Sequence, residues 1–286
     1  GFGHITICGG HITATAVGEG SCGILIGDLD IYNGTVAATG NQYGIYGLRD
    51  YVSIRNGTVK ATATDVTGYG IYLPDLDYDM GGAVIIEGGT VTATGGANGS
   101  GICVASPSNS VTISGGTIVA AGGDGIRGNF TTEEDGNAFI TASSIEDDSG
   151  KIDWHGVIFE GGSGQIYGSS IILGTNAEIP NGKTLTIEDG QTLTIHDGVS
   201  LSNNGTIIVE PGGKLVGDVS GSGTVNFLPP PEQFHALTPG ETYWFDLSEE
   251  KMPGWANSGN PGAPTPDTTL HWVPFIYAGT IRAYVL

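Results

Sequence analysis

The fold of this chain is decided by the segment Val52-Ser-Ile-Arg-Asn-Gly-Thr-Val-Lys-Ala-Thr62 and by four other copies of the same pattern. Each copy joins two short strands of alternating polarity through an Asn-Gly or Gly-Gly corner. Repetition with a period of about 20 to 50 residues indicates one structural unit stacked on copies of itself. The second glycine of the corner marks the copies and recurs at Gly10, Gly34, Gly57, Gly89 and Gly116.

Each copy predicts one coil of a solenoid. The period-two alternation is typical of strands with one buried face, and a Gly-Ile pair after every copy, as in Gly44-Ile45 and Gly70-Ile71, predicts a third short strand. Stacked coils would place parallel strands about 4.8 Å apart, with Ile and Val ladders filling the interior. The sequence therefore predicts an all-β fold, a right-handed parallel β-helix (β-solenoid).

The domain organisation follows from where this pattern holds. We predict the β-helix over residues 1–228, with looser coils after Phe159 and a loop or side excursion over residues 129–153, where no repeat is readable. Three prolines at 229–231 cannot donate to a strand ladder and predict a linker. Over residues 232–286 we predict a small, incomplete C-terminal unit.

The repeat also resembles a known class of protein. Copies of the form Ile-x-Gly-Gly-Thr-Val-x-Ala-Thr, followed by Gly-x-Gly-Ile, resemble the repeat regions of adhesin-like bacterial surface proteins, closely over residues 5–128 and loosely to about residue 227. Residues 243–281 look like the opening of a C-terminal module found after such repeats. The resemblance implies an extracellular or cell-surface bacterial scaffold, and its motifs specify shape rather than activity.

Charge and cysteine content limit the kinds of partner and cross-link that we expect for this chain. Before Glu232 the chain has 24 acidic and seven basic residues, and this charge of about −17 repels phosphate backbones, so we expect no nucleic-acid binding. No apolar run is long enough to span a bilayer, so we expect no membrane insertion.

Three scattered cysteines give no disulfide framework. The oligomeric state is left open, and Gly1 is expected to be a processed or trimmed end.

An acidic motif gives the candidate metal site. Asp75, Asp77 and Asp79 alternate before a glycine, and such a loop can place several oxygens around Ca²⁺. An EF-hand would need glycine and glutamate where Met80 and Ile86 stand. Calcium binding and a solvated acidic loop without a metal are both compatible with the motif.

Tyrosines give the candidate carbohydrate site. Tyr46 and Tyr72 follow the inward isoleucine of successive coils, so they are predicted to point outward, one above the other, with Tyr78 in the acidic loop. Exposed rings can pack against the faces of sugars in a glycan or polysaccharide. The same arrangement fits an aromatic ladder that only stiffens its own sheet.

A catalytic alternative uses the same neighbourhood. A calcium-dependent polysaccharide lyase needs an Arg or Lys as base, and Arg55 and Lys60 are the candidates beside the acidic motif. They stand on opposite sides of the Asn56-Gly57 corner, and nine basic residues in all leave few groups to hold an anionic polymer. The sequence favours a scaffold without catalysis.

Overall fold

The computed structural model describes residues 3–48, 51–75, 81–133, 135–147, 154–229, 272–277 and 280–285. These residues form strands and turns, and no helix occurs among them. The strands are short and stack in parallel through successive coils, so the predicted parallel β-helix is confirmed.

Six coils of three strands each make up the first solenoid segment, residues 4–147. Their strands are β1 (His4–Ile7), β2 (His11–Thr15), β3 (Cys22–Ile26), β4 (Asp28–Ile31), β5 (Thr35–Gly40), β6 (Tyr43–Gly47), β7 (Tyr51–Ile54), β8 (Thr58–Ala63), β9 (Tyr69–Leu73), β10 (Ala83–Ile86), β11 (Thr90–Thr94), β12 (Ser100–Val104), β13 (Ser110–Ile113), β14 (Thr117–Ala121), β15 (Asp124–Arg127), β16 (Asn129–Thr132), β17 (Phe139–Ala142) and β18 (Ile145–Glu146). The first strands of the coils form sheet A, the second strands belong to sheet B, and the third strands form sheet C.

One prediction about this segment is wrong. Residues 129–153 were predicted as a loop or side excursion, but their described part contains β16, β17 and β18, which complete a sixth coil. The coil lacks the Gly-Gly corner and the Thr-Val strand of the earlier copies. Its inward residues Phe130, Ile140 and Ile145 nevertheless occupy the same ladders as their predecessors, so packing is preserved although the motif is lost.

The interior of the first segment consists of aliphatic ladders in register. Val52 pairs with Leu29 on one side and with Val84 on the other, and all three side chains are fully buried. Each such side chain contributes about 1.5–3 kcal/mol relative to full exposure. The coils therefore hold together mainly through contacts with their neighbours.

A second solenoid segment, residues 163–228, continues from the first through one further strand. Its strands, with the connecting strand first, are β19 (Gly156–Glu160), β20 (Ser163–Tyr167), β21 (Ser170–Leu173), β22 (Ala177–Ile179), β23 (Thr184–Ile187), β24 (Thr192–Ile195), β25 (Leu201–Asn203), β26 (Thr206–Val209), β27 (Lys214–Val216), β28 (Val219–Ser220) and β29 (Thr224–Phe227). Strands β21, β24 and β27 form sheet D, and β22, β25 and β28 form sheet E.

Sheet B runs through both segments as one 11-stranded sheet, but its strands change direction within it. Strand β19 pairs parallel with β17 and antiparallel with β20, because the chain turns back at Gly161-Gly162. This hairpin reverses the strand direction within sheet B, a feature that the sequence analysis did not predict. The sheet B strands of the second segment are therefore antiparallel to those of the first segment, while each new coil still adds its strand at the same edge of the sheet.

The two segments also lie on opposite faces of sheet B. Ile140 and Ile158 belong to the core of the first segment, whereas their neighbours Phe139, Val157 and Phe159 belong to the core of the second. Residues that alternate along a strand point to opposite faces. Reversing the strand direction alone would reverse the hand of the coil, and so would moving the coil to the other face of the sheet. Because both changes occur together, the two segments wind with the same hand.

The contacts divide the chain into two compact units, residues 1–228 and 229–286. In the second unit, β30 (Trp272–Tyr277) and β31 (Thr280–Val285) form an antiparallel pair. Most of the segment 243–281, on which the predicted C-terminal module rests, lies outside the described residues, as do residues 230–231 of the predicted linker.

Candidate functional site

Sheet C brings four tyrosines together on its outer surface. The sequence predicted that Tyr46 and Tyr72 align, and β6 and β9 pair in that register, with Tyr43 opposite Tyr69 beside them. We call Tyr43, Tyr46, Tyr69 and Tyr72 the tyrosine cluster. Both strands have the sequence Tyr-Gly-Ile-Tyr, and the ring contacts bring the two tyrosines of each strand onto one surface.

The rings of the cluster contact one another both along and across the strands. Tyr43 and Tyr69 are stacked with centroids 5.9 Å apart and planes inclined by 12°, while Tyr46 and Tyr72 lie 5.4 Å apart with a tilt of 45°. Within each strand the centroids are closer, at 4.6 Å and 4.7 Å. Aromatic pairs at such separations add about 0.5–1.5 kcal/mol beyond the area that they bury.

The cluster is half-buried, and this changes the acidity of its phenols. Burial raises the pKa of Tyr43, Tyr46 and Tyr72, with the largest effect at Tyr72. These three hydroxyls therefore stay protonated well into the alkaline range and act as neutral donors and acceptors. In the part of the chain that the structure describes, no hydrogen bond to the four hydroxyls is formed, so they are available to water or to a ligand.

Shorter side chains flank the cluster in the adjoining coils. Cys22 and Leu25 are the register neighbours of Tyr43 and Tyr46 on one side, and Cys103 is the neighbour of Tyr72 on the other. Leu25 is 57% exposed, whereas Cys103 is 4% exposed. The tyrosine cluster is therefore bordered by an exposed aliphatic side chain on one side and by a buried thiol on the other.

Sequence reasoning identified half of this cluster. Tyr43 and Tyr69 were not among the predicted site residues, although the repeated Tyr-Gly-Ile-Tyr was a readable signal. The binding role of Tyr46 and Tyr72 stays a prediction, and Tyr78 lies outside the described residues.

Arg55 is held by other side chains. Its Nη1 atom lies 3.0 Å from Glu87 Oε2, and its guanidinium carbon lies 5.0 Å from the ring centroid of Tyr32. Arg55 follows a strand of sheet A, while Lys60 is exposed on sheet B with Ala37 and Thr92 as register neighbours. The two predicted catalytic bases therefore stand on different sheets.

The predicted metal ligands are described only in part. Asp75 is exposed shortly after β9, and Asp77 and Asp79 lie outside the described residues. Over the residues that are described, no group of three or more His, Cys, Asp or Glu side chains is placed to hold a metal ion. Calcium binding at this loop stays a prediction.

A separate polar network ties the first three coils together on sheet A. The Tyr51 hydroxyl donates to Asp30 Oδ2 at 3.0 Å, and His4 Nε2 lies 3.4 Å from the same oxygen. Asp30 is 8% exposed, so these contacts compensate the cost of burying its carboxylate. His4 also packs edge-on against the Tyr51 ring.

Comparisons with known proteins place the chain in no family. No protein-family model matches it, and neither the curated proteins nor the solved structures gave a match. Among the described residues, no helix is long and apolar enough to cross a membrane.

Proposed function

We propose that this chain is a secreted or cell-surface scaffold, adhesin-like in character, whose tyrosine cluster binds a neutral carbohydrate chain. The β-solenoid supplies a rigid support, because each coil is fixed by the ladders of its neighbours. The observation that carries the proposal is the cluster itself, four half-buried rings from two coils with centroids 4.6–5.9 Å apart.

The chemistry of the cluster suits sugars rather than charged ligands. Ring faces and edges contact the C–H groups of a pyranose, and neutral phenol hydroxyls can exchange hydrogen bonds with its hydroxyl groups. Burial raises the pKa of Tyr72, which keeps that hydroxyl uncharged at the pH values where a surface protein works. Ordered aromatic side chains also lose little conformational entropy when a ligand binds.

The lyase alternative lacks comparable support. Arg55 is engaged by Glu87 and Tyr32, and the chain as a whole has 30 acidic and nine basic residues. An anionic polysaccharide would meet net repulsion over most of this surface. We therefore propose no catalytic role for Arg55 or Lys60.

The test is retention on carbohydrate. The wild-type chain is screened on a glycan array, and the positive polysaccharide is immobilised on a column. We expect Tyr46→Ala and Tyr72→Ala each to weaken retention by up to about tenfold, which corresponds to about 1.4 kcal/mol and lies within the range of about 0.5–1.5 kcal/mol for one aromatic contact. Tyr46→Phe and Tyr72→Phe separate the contribution of the hydroxyl from that of the ring.

Tyr32 gives a matched control. Its ring is 46% exposed and lies on another face, beside Arg55. Tyr32→Ala should leave retention unchanged. Equal retention by wild type and by both cluster variants, or silence of the whole array, would leave the cluster with a stiffening role alone and would refute the proposal.

A further inference from the structure

Tyr43 and Tyr72 are the two central rings of the tyrosine cluster. Each of them contacts the three other rings, and they contact each other across the boundary between two coils, with centroids 5.1 Å apart and planes inclined by 35°. The other two pairs that join these coils are wider, at 5.4 Å and 5.9 Å. Rings at such a separation have carbon atoms close to van der Waals contact, so these two phenols need little movement to meet.

The hydroxyls of this pair keep their protons and are open to solvent. Burial raises the pKa of both phenols, and in the part of the chain that the structure describes neither hydroxyl forms a hydrogen bond. A phenol that gives up an electron becomes a strong acid. Water is then the acceptor within reach of the released proton.

We propose that Tyr43 and Tyr72 form a site of oxidative modification, at which a haem peroxidase with hydrogen peroxide joins their rings through a dityrosine bond. Each phenol gives one electron to the peroxidase and one proton to water, and becomes a neutral phenoxyl radical. The two radicals pair in a carbon–carbon bond between ring positions ortho to the hydroxyls. The protons of these two carbons then move through water to the phenol oxygens, which restores both hydroxyls.

The overall reaction balances with one molecule of peroxide. The two phenols lose two electrons and two protons, and hydrogen peroxide takes them up as its O–O bond breaks, giving two molecules of water. On the protein, the two ortho C–H bonds are replaced by one C–C bond. The cross-link requires no bound carbohydrate, so it is independent of the binding role proposed for the same cluster.

The fold holds the two rings in place before the reaction. Ile45 and Ile71 stand between the tyrosines of their strands, are fully buried and are register neighbours. The strands that carry the rings are thus fixed to each other, and two radicals formed on them meet without diffusion. Radicals on separate molecules must first collide, and the net charge of −21 opposes that collision. We therefore expect the bond to form within one chain.

A bond between Tyr43 and Tyr72 joins two neighbouring coils covalently. It closes a loop of the whole intervening chain, and this lowers the entropy of the unfolded state and so stabilises the fold. A bond between Tyr43 and Tyr46, or between Tyr69 and Tyr72, closes only a short loop within one strand and removes little of that entropy. The melting temperature therefore distinguishes a bond between coils from a bond within a strand.

Oxidation of the full chain in vitro tests the proposal. The dilute protein is treated with a haem peroxidase and hydrogen peroxide, and cross-linked peptides are identified by mass spectrometry after digestion. We expect dityrosine fluorescence, a chain that stays monomeric in denaturing electrophoresis, and a Tyr43–Tyr72 peptide as the main product. The melting temperature of the cross-linked protein should rise by about 5 °C or more.

Phenylalanine variants separate this pair from exposed tyrosines in general. Tyr43→Phe and Tyr72→Phe keep the ring packing but remove the phenol, and each should lower the dityrosine yield at least about fivefold, because the remaining phenols lack the central partner. Tyr32→Phe is the matched control. Tyr32 is 46% exposed, but its ring contacts Arg55 rather than another tyrosine, so the yield should not change.

Several outcomes would each overturn the proposal. They are the absence of dityrosine, cross-links that join separate chains, a main product within one strand or outside the cluster, and a thioether between Tyr72 and its register neighbour Cys103 in place of dityrosine. An unchanged melting temperature of the cross-linked protein, or equal yields from Tyr72→Phe and Tyr32→Phe, would do the same.

Discussion

At the scale of single residues, the preceding coil leaves no room for a side chain at corner glycines such as Gly57. Gly57 has φ of +91°, a conformation that side chains rarely adopt, and a Cβ atom there would lie 2.5 Å from the carbonyl oxygen of Gly34. Gly10 has a similar φ of +85°, but nothing lies within 4 Å of its Cβ position. The comparison separates backbone strain from the close stacking of coils.

This difference can be measured by alanine substitution. Both Gly57→Ala and Gly10→Ala introduce strain at positive φ, and Gly57→Ala also forces two coils apart, which should cost about 1–3 kcal/mol more. Urea unfolding at low protein concentration gives the two free energies of unfolding. Equal losses in the free energy of unfolding would mean that positive φ alone, and not the close stacking of coils, explains why glycine recurs at the corner of each copy.

At the scale of elements, sheet C shows how packing changes chemistry. Its outer surface brings Cys22 and Cys103 into register with the tyrosine cluster, and burial raises the pKa of both thiols, that of Cys103 to about 11. Every shifted group in this patch is therefore held in its neutral form. The folded state binds protons at these groups at pH values where the unfolded chain has released them.

The expected consequence is a loss of stability in alkali. A pKa that is higher in the folded state stabilises the fold below the unfolded value, which is about 8.5 for Cys and about 10 for Tyr, and this contribution declines as the pH rises further. The melting temperature should fall between about pH 9 and pH 11. Circular dichroism at several pH values tests this, and Tyr72→Phe should make the fall shallower. An unchanged slope in that variant would contradict the assignment.

At the scale of the whole molecule, one sheet serves two cores. On its outer face, sheet B presents polar residues such as Thr58 and Thr90 where it is free, and Phe139 and Phe159 where the second segment covers it. Phe159 is fully buried opposite Gly164, which has no side chain to displace its ring. The second segment is anchored by these aromatic residues.

Truncating the anchor should release the second segment. Phe159→Ala is expected to cost about 3–5 kcal/mol, because it leaves a cavity in the second core. Phe227→Ala is the control, since Phe227 is 56% exposed and its loss should be nearly neutral. Guanidinium unfolding followed by tryptophan fluorescence gives both values. Similar behaviour of the two variants would show that Phe159 is not an anchor.

Much of the first segment was predictable because its contacts are local in the repeat. Equivalent positions of successive copies become register neighbours, so the alignment of Tyr46 with Tyr72 followed from spacing alone. Prediction failed over residues 129–146, where inward residues kept their ladders but the corner motif was absent. It also missed that Val157, Ile158 and Phe159 are all buried, a run that is typical of a strand covered on both faces.

By itself, the sequence determined the parallel coils, their inward and outward faces and the register of the tyrosines, because alternation and glycine corners act within one coil and its neighbours. Only the tertiary structure decided that the chain reverses at Gly161-Gly162, that the second segment lies on the other face of sheet B, and that four rings rather than two share one surface. The reason is that these features depend on which distant surfaces meet, and a period-two pattern specifies that a face is buried but not what buries it.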